Sequence, residues 1–383
     1  MFGVQEGFDV VIGNPPYVRV DDIPSDKKSL YRASYEAAKG KYDLYYLFFE
    51  KGLALLQKAG GLIFITPNKF CAATSGTRLR EIMRSLSGSI EIVSTSKLGV
   101  FEDAANYPVV SMFVPSSGRS DLHVREAVSL GALRESSMFS YRLTFKDWVS
   151  LPDRTIPINV SQSQVDMVLR LRHAHSRLGD YVGFSEGLRI PACFETDKKN
   201  SHLILKQYQF EKWTTLRKGA WISTANLRKV LSEKSERYQR IMRKKIVLAE
   251  DALSITATMD EQQTIPQGGV YFGVTLRDDV DPKYVLGILN SGIASALYEI
   301  MFSGMHMGGG YMRYRTMFLE ELPIPLSDSC AQTTVVRLVD QILATKATDP
   351  AANTSALEGE IDRLVYDLYG LTEEEIAIIE GRE

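Results

Sequence analysis

The 383-residue sequence predicts an α/β fold, with a partly parallel sheet followed by a mixed α+β region and a helical tail. Three observations carry that expectation. Over the first hundred residues, short apolar runs alternate with amphipathic stretches, the pattern of strands joined through helical crossovers. Pro115-Ser116-Ser117-Gly118 then breaks the pattern, and shorter strands and helices follow. Near the carboxyl terminus only helical spacing remains. The expected segments are residues 1–118, 119–327 and 328–383.

The first run, Phe8 to Ile12, is short, β-branched and closed by Gly13, so it reads as a buried strand. It leads directly into Asn14-Pro15-Pro16-Tyr17. Consecutive prolines fix φ, and the first pushes Asn14 toward an extended conformation. A stiff ledge results at the carboxyl end of a strand, where open α/β sheets place their ligands. Tyr42 to Ala59 sets Leu44, Leu47, Phe48, Leu55 and Leu56 at helical spacing, with Gly60-Gly61 closing the helix. Leu62 to Pro67 is a strand ending in proline, and Thr77 to Ser85 a helix. Ile90 to Ser94 and Val109 to Val114 form a terminal strand pair, joined by a loop carrying Phe101 and Pro108. Ser161 to His173 is the next helix. In the tail, Val336, Val339, Ile342 and Leu343 form one stripe, and Ile361, Leu364, Val365 and Leu368 another. Gly370 ends the second tail helix, and Thr372 with Glu375 opens a third through a capping box.

Composition narrows the function classes. An apolar content of 44% supports a buried core and excludes wholesale disorder. Cys71, Cys193 and Cys330 lie far apart and lack metal-type spacing, and five histidines do not make a zinc cluster, so no metal is expected. No signal peptide opens the sequence and no run of eighteen apolar residues spans a membrane, so a reducing cytoplasm is the expected location. The net charge of −2 conceals an asymmetry. Lys198 to Lys245 holds fourteen Lys or Arg against three Glu, a local +11, whereas Lys346 to Glu383 holds three basic and ten acidic residues, −7. A block of that density predicts contact with phosphate, with a solvated helix face as the plain alternative.

The ledge suits one chemistry. An exocyclic amine on a flat heteroaromatic ring is a poor nucleophile because its lone pair is delocalised. Two acceptors aimed at its N–H bonds, the Asn14 side-chain oxygen and the Pro15 carbonyl, would draw density back onto nitrogen. Tyr17 would stack on the ring, after the base had left its duplex.

On these residues the sequence resembles the N6-adenine-specific DNA methyltransferases, whose hallmark is Asn-Pro-Pro-Tyr after an apolar strand. The following Tyr42-Asp43-Leu44-Tyr45 and the Gly-Gly strand ending in Pro67 match the second half of their class I, Rossmann-like domain. The resemblance implies catalytic roles for Asn14, Pro15, Pro16 and Tyr17, and a base sandwich between Tyr17 and Phe101. Further on, Gly187-Leu188-Arg189-Ile190-Pro191, Lys245-Ile246-Val247, Tyr271-Phe272-Gly273-Val274, Leu286 to Ser291, Gly308-Gly309-Gly310-Tyr311 and Leu322 to Pro325 occur in the order of a TaqI-like carboxyl-terminal specificity domain. That likeness implies a double-stranded DNA partner in a restriction–modification or phage-defence system. Arg189, Lys198, Lys199, Arg217, Lys218, Arg313 and Arg315 are the expected DNA contacts. Arg313 and Arg315 would share one face at a strand period, with Tyr314 opposite.

The family's cofactor is S-adenosylmethionine, held by a glycine-rich loop after one strand and an acidic residue after the next. Neither is found here; Phe302-Ser303-Gly304-Met305-His306 follows a helical segment and lacks the second glycine. The chain is therefore expected to be incomplete alone, with its cofactor half supplied by another chain or segment, and its first strand exposed as an apolar edge. Two other readings stay open: a non-catalytic DNA-binding specificity module, and a protein glutamine methyltransferase, against which the +11 block counts.

Overall fold

A computed structural model describes residues 7–85, 88–98, 107–115, 121–131, 139–197, 201–215, 219–326 and 329–382. The chain divides into two units, Met1–Leu169 with Ile300–Gly308, and Arg170–Glu299 with Gly309–Glu383.

The first unit is built on strands β1 (Phe8–Gly13), β2 (Leu56–Pro67), β3 (Gly88–Ser94), β4 (Pro108–Pro115), β5 (Leu122–Glu126) and β6 (Phe139–Leu143). They form one sheet in the order β1-β2-β4-β3-β5-β6. β1 runs parallel to β2, with Ile12 opposite Ile63 and Gly13 opposite Phe64. β4 is antiparallel to both β2 and β3, and β3 is parallel to β5. The helices that pack beside the first strands of this sheet include α1 (Ser25–Ser34), α2 (Leu44–Ala54) and α3 (Thr77–Ser85). The α2 face buries Tyr45, Tyr46 and Phe49, and the Phe49 ring sits 5.2 Å from that of Phe64 on β2. Alternation along β2 explains that contact: Leu62, Phe64 and Thr66 are buried while Ile63 and Ile65 are only partly covered.

Three expectations change. The helix stops at Ala54 and β2 begins at Leu56, so Gly60-Gly61 lies inside the strand and does not close the helix. A Cβ on Gly60 would collide with the Phe8 carbonyl oxygen, which is why glycine stands where β1 approaches. β1 is not buried: Phe8, Val10 and Ile12 are 37%, 57% and 74% exposed. Its other side pairs with no strand among the described residues, so it presents an open apolar edge. Finally, the boundary anticipated at residue 118 falls inside this sheet, because β5 and β6 extend it through Leu143.

The second unit holds a four-stranded antiparallel sheet, Ala257–Asp260, Lys245–Ala249, Val270–Thr275 and Val182–Glu186 in that order. Every residue of Lys245–Ala249 is buried. Lys245 itself is fully enclosed and ion-paired to Asp260 at 2.5 Å. The Asp260 carboxylate also accepts from the backbone N–H groups of Gln262 and Thr264 and from the Thr264 hydroxyl, so the buried charge is well satisfied. Helices Pro282–Asn290 and Gly292–Met301 supply the buried Tyr284 and Tyr298. Among the described residues no single helix is long and apolar enough to cross a membrane.

The tail, Ser329–Thr348, Ser355–Tyr369 and Glu373–Ile379, packs into this second unit. Its first buried stripe is Val335, Leu338, Val339 and Ile342, one position earlier in part than the sequence spacing suggested. Val335 lies against Gly287, where a side chain would not fit. Gly370 closes the second helix at φ 58°, and the Thr372–Glu375 capping box forms as expected.

Candidate functional site

The ledge stands at the carboxyl end of β1. Pro15 is buried, Tyr17 half-buried, and Asn14 and Pro16 are exposed. The chain leaving it runs beside residues 42–44: Val20 N–H donates to the Tyr42 carbonyl at 3.1 Å and Leu44 N–H to the Val18 carbonyl at 2.8 Å. Arg19 forms an isolated antiparallel bridge with Asp43 in the same place. The Tyr17 hydroxyl donates to Asn14 Oδ1 at 2.8 Å and lies 3.3 Å from the Ile65 carbonyl on β2. Burial raises the Tyr17 pKa, so the phenol stays protonated and remains a donor. Its ring meets Tyr45 edge-on at 6.3 Å, and the Tyr45 hydroxyl donates to the Pro67 carbonyl at 3.3 Å. Strand pairing, aromatic packing and one side-chain hydrogen bond thus hold the amide acceptor and the aromatic ring together.

Sequence reasoning missed two supports. Lys69, just past the end of β2, pairs with Asp43 at 3.1 Å. Arg80 is wholly buried; Nη1 donates to the carbonyls of Phe70 at 2.6 Å and Ala73 at 2.9 Å, and Nε to that of Asp153 at 3.0 Å. Desolvation lowers its pKa, opposed in part by the charge of Asp153; three backbone carbonyls and the Thr77 hydroxyl accept from the guanidinium. An available signal was Arg80 lying on the same helix face as the buried Leu79 and Met83, where a charge has to find internal partners.

Phe101 lies outside the described residues, as do Lys198, Lys199, Arg217 and Lys218. Arg189 is exposed. Arg313 and Arg315 do share a face with Tyr314 buried opposite, but both guanidinium groups are ion-paired. Arg313 makes a two-pronged contact with Asp251 at 2.8 and 2.9 Å, and Arg315 meets Glu250 at 3.0 Å. Several cations of the +11 block are similarly engaged. Lys206 pairs with Glu195 and Arg228 with Glu233, Arg237 and Arg240 donate to the carbonyls of Glu186 and Gly183, and Lys245 is buried. A cleft of about 1040 Å³ opens in the second unit, lined in part by Tyr208, Trp213, Glu261, Lys283 and Asp340; it contains none of the ledge residues.

No part of the described structure forms the glycine-rich cradle that S-adenosylmethionine would require. The turn after β1 carries two prolines, that after β2 runs Asn68–Cys71 without a glycine, and Ser303–Met305 is a short turn behind a helix with Gly304 pressed on Ala72. The residues present do not fit that cofactor.

Comparison with known proteins agrees with this layout. Residues 1–101 match the Eco57I restriction-modification methylase family, and residues 193–324 the TaqI-like C-terminal specificity domain. The type II restriction enzyme and methyltransferase RM.Eco57I of Escherichia coli is 28% identical over 194 residues, covering 46% of this chain and 18% of that protein. The type II methyltransferase M.PaeR7I of Pseudomonas aeruginosa is 31% identical over 114 residues, covering 29% and 20%. The chain thus spans about a fifth of the length of these curated relatives. In fold, it resembles the type IIL restriction-modification enzyme MmeI, solved in complex with DNA, with a TM-score of 0.61 and 12% identity over 97% of this chain and 56% of that one. Residues 1–101 are therefore an Eco57I-type restriction-modification methylase segment and residues 193–324 a TaqI-like specificity domain, which makes the chain a relative of the type II restriction-modification methyltransferases.

Proposed function

We propose that this chain is the base-binding and sequence-recognition portion of a DNA adenine-N6 methyltransferase from a restriction–modification system. The observation that carries the reading is the bonded pair of Asn14 and Tyr17 on a proline-stiffened strand end, within a methylase segment joined to a specificity domain. An everted adenine would lie on the Tyr17 face, with its amine donating to Asn14 Oδ1 and the Pro15 carbonyl. Asn14 Oδ1 has two lone pairs, so it can accept from the amine while Tyr17 keeps its own bond. Both acceptors increase electron density on nitrogen as it becomes the nucleophile, and the fixed ledge removes the orientational cost of presenting it. The family's methyl donor is S-adenosylmethionine. The described residues offer no cradle for it, so on this reading they act on the acceptor side, and a further segment or partner chain would hold the donor.

The specificity domain would grip double-stranded DNA. Arg189, Lys198, Lys199, Arg217 and Lys218 remain its candidate contacts, and Phe101 the candidate second face of the base sandwich. Arg313 and Arg315 would first have to leave their carboxylates, so they are better suited to holding Met312–Arg313 against Asp251–Ala252 than to reading bases. The second reading, a specificity module with an inert ledge, is favoured by the missing cofactor cradle. The TaqI-like domain argues against protein glutamine methylation. Nucleoside mass spectrometry on DNA treated with the complete enzyme tests the proposal. N6-methyladenine is expected; a methylated cytosine would overturn the adenine assignment, and no methylated base would favour the inert module.

A further inference from the structure

Two cations stand beside the ledge with no role in activating an amine. Arg19 is two residues beyond Tyr17 on extended backbone (φ −74°, ψ 149°). It is also the antiparallel bridge partner of Asp43, and cross-strand neighbours share a face. The Asp43 carboxylate is 10% exposed and holds Lys69 Nζ at 3.1 Å, while Lys69 remains 48% exposed. An ammonium has three donors, so this contact leaves Lys69 able to bind a ligand. The Arg19 side chain is exposed, and among the described residues its guanidinium has no partner. This differs from Arg313 and Arg315, each matched to a carboxylate. Arg19 and Lys69 against Asp43 give one net positive charge beside the ledge.

We infer that Arg19 and Lys69 form a phosphodiester subsite beside the ledge, gripping a backbone phosphate that flanks the nucleotide whose base rests on Tyr17. One net positive charge complements a monoanionic phosphodiester, and guanidinium and ammonium donors give the strong, charge-assisted contacts such an oxygen accepts. Asp43 is then a positioning residue: it fixes Lys69 and keeps the empty subsite from carrying two unopposed charges. A purely structural account is weak, since an ion pair with one partner half-exposed contributes only about 0–1 kcal/mol. The inference rests on the base-binding reading above and adds to it the anchor that would hold the everted nucleotide by its backbone.

The test uses the full chain and a duplex containing one unpaired 2-aminopurine, whose fluorescence reports stacking. Wild type should alter that fluorescence. The double variant Arg19→Gln/Lys69→Gln should bind with a log-affinity against log-salt slope shallower by about 0.9, the loss of one phosphate contact. Methylphosphonates at the two linkages flanking the 2-aminopurine should lower the wild-type slope equally and leave the double variant unchanged. Arg19→Lys/Lys69→Arg should keep the wild-type slope, as charge is retained. If the double variant does not fold, the methylphosphonate comparison on wild type decides alone. A fluorescence response with no methylphosphonate effect, or with the wild-type slope in a folded double variant, would overturn the subsite and leave the ledge reading intact. No fluorescence response from wild type would overturn both.

Discussion

The Tyr17 hydroxyl donates to the Asn14 side-chain oxygen at 2.8 Å, so the acceptor and the stacking ring of the ledge form one hydrogen-bonded unit. On the proposed reading, that bond would set which end of the Asn14 amide meets an incoming amine. The oxygen is held by a donor, and the NH2 group, which would repel the amine N–H bonds, is turned away.

Asn14→Ala should abolish methylation by the complete enzyme, by about a hundredfold or more, because a preorganised polar group at the reacting atom is lost. Duplex affinity should stay within a few fold. Tyr17→Phe should keep the ring but release the amide, lowering turnover by about tenfold, the equivalent of one hydrogen bond. Radiolabelled methyl transfer alongside filter binding separates the two quantities. Equal loss of binding and turnover in Asn14→Ala would refute its assigned role.

Arg80→Leu should destabilise the first unit by about 3 kcal/mol. It strips the partner from three backbone carbonyls, those of Phe70, Ala73 and Asp153, at about 1 kcal/mol or more each. Urea denaturation gives the value, and hydrogen exchange should show the loss concentrated over residues 68–80. A change under 1 kcal/mol would mean that water replaces the guanidinium.

Stability of the second unit should fall as pH drops below about 6.5. Burial lowers the pKa of both His175 and His202 beneath the usual 6.5, helped by Arg170 near the first and Lys245 near the second. His175 also packs edge-on against Tyr369, which leaves little room for a charged, hydrated ring. In that window the unfolded chain binds protons that the folded one refuses, so acidification favours unfolding, and the loss levels off once the folded histidines protonate. Urea midpoints at pH 7.5 and 5.5 measure the difference. His175→Gln with His202→Gln should flatten it.

Calorimetric titration of S-adenosylmethionine into this polypeptide should show weak or no binding, because no strand end among the described residues offers a glycine-rich cradle. Micromolar affinity for the chain alone would contradict this.

Features set by neighbouring residues were legible in the sequence. The Thr372–Glu375 capping box and the left-handed Gly370 follow from steric and hydrogen-bonding rules acting over a few positions, and both appear as expected. Asn14 and Tyr17, three residues apart, are close enough in sequence for their side chains to meet, and they do. Tertiary structure alone decided which charges stay available and which strand stands uncovered. Gly60-Gly61 resembled a helix stop until the approach of β1 showed that a strand needed them. Arg313 and Arg315 looked like free donors, yet Asp251 and Glu250, some sixty residues earlier in the sequence, neutralise them. Arg80 is enclosed among carbonyls from Phe70, Ala73 and Asp153, the last more than seventy residues away. Charge and edge pairing depend on which distant segments the fold brings together, and short-range spacing carries no record of that.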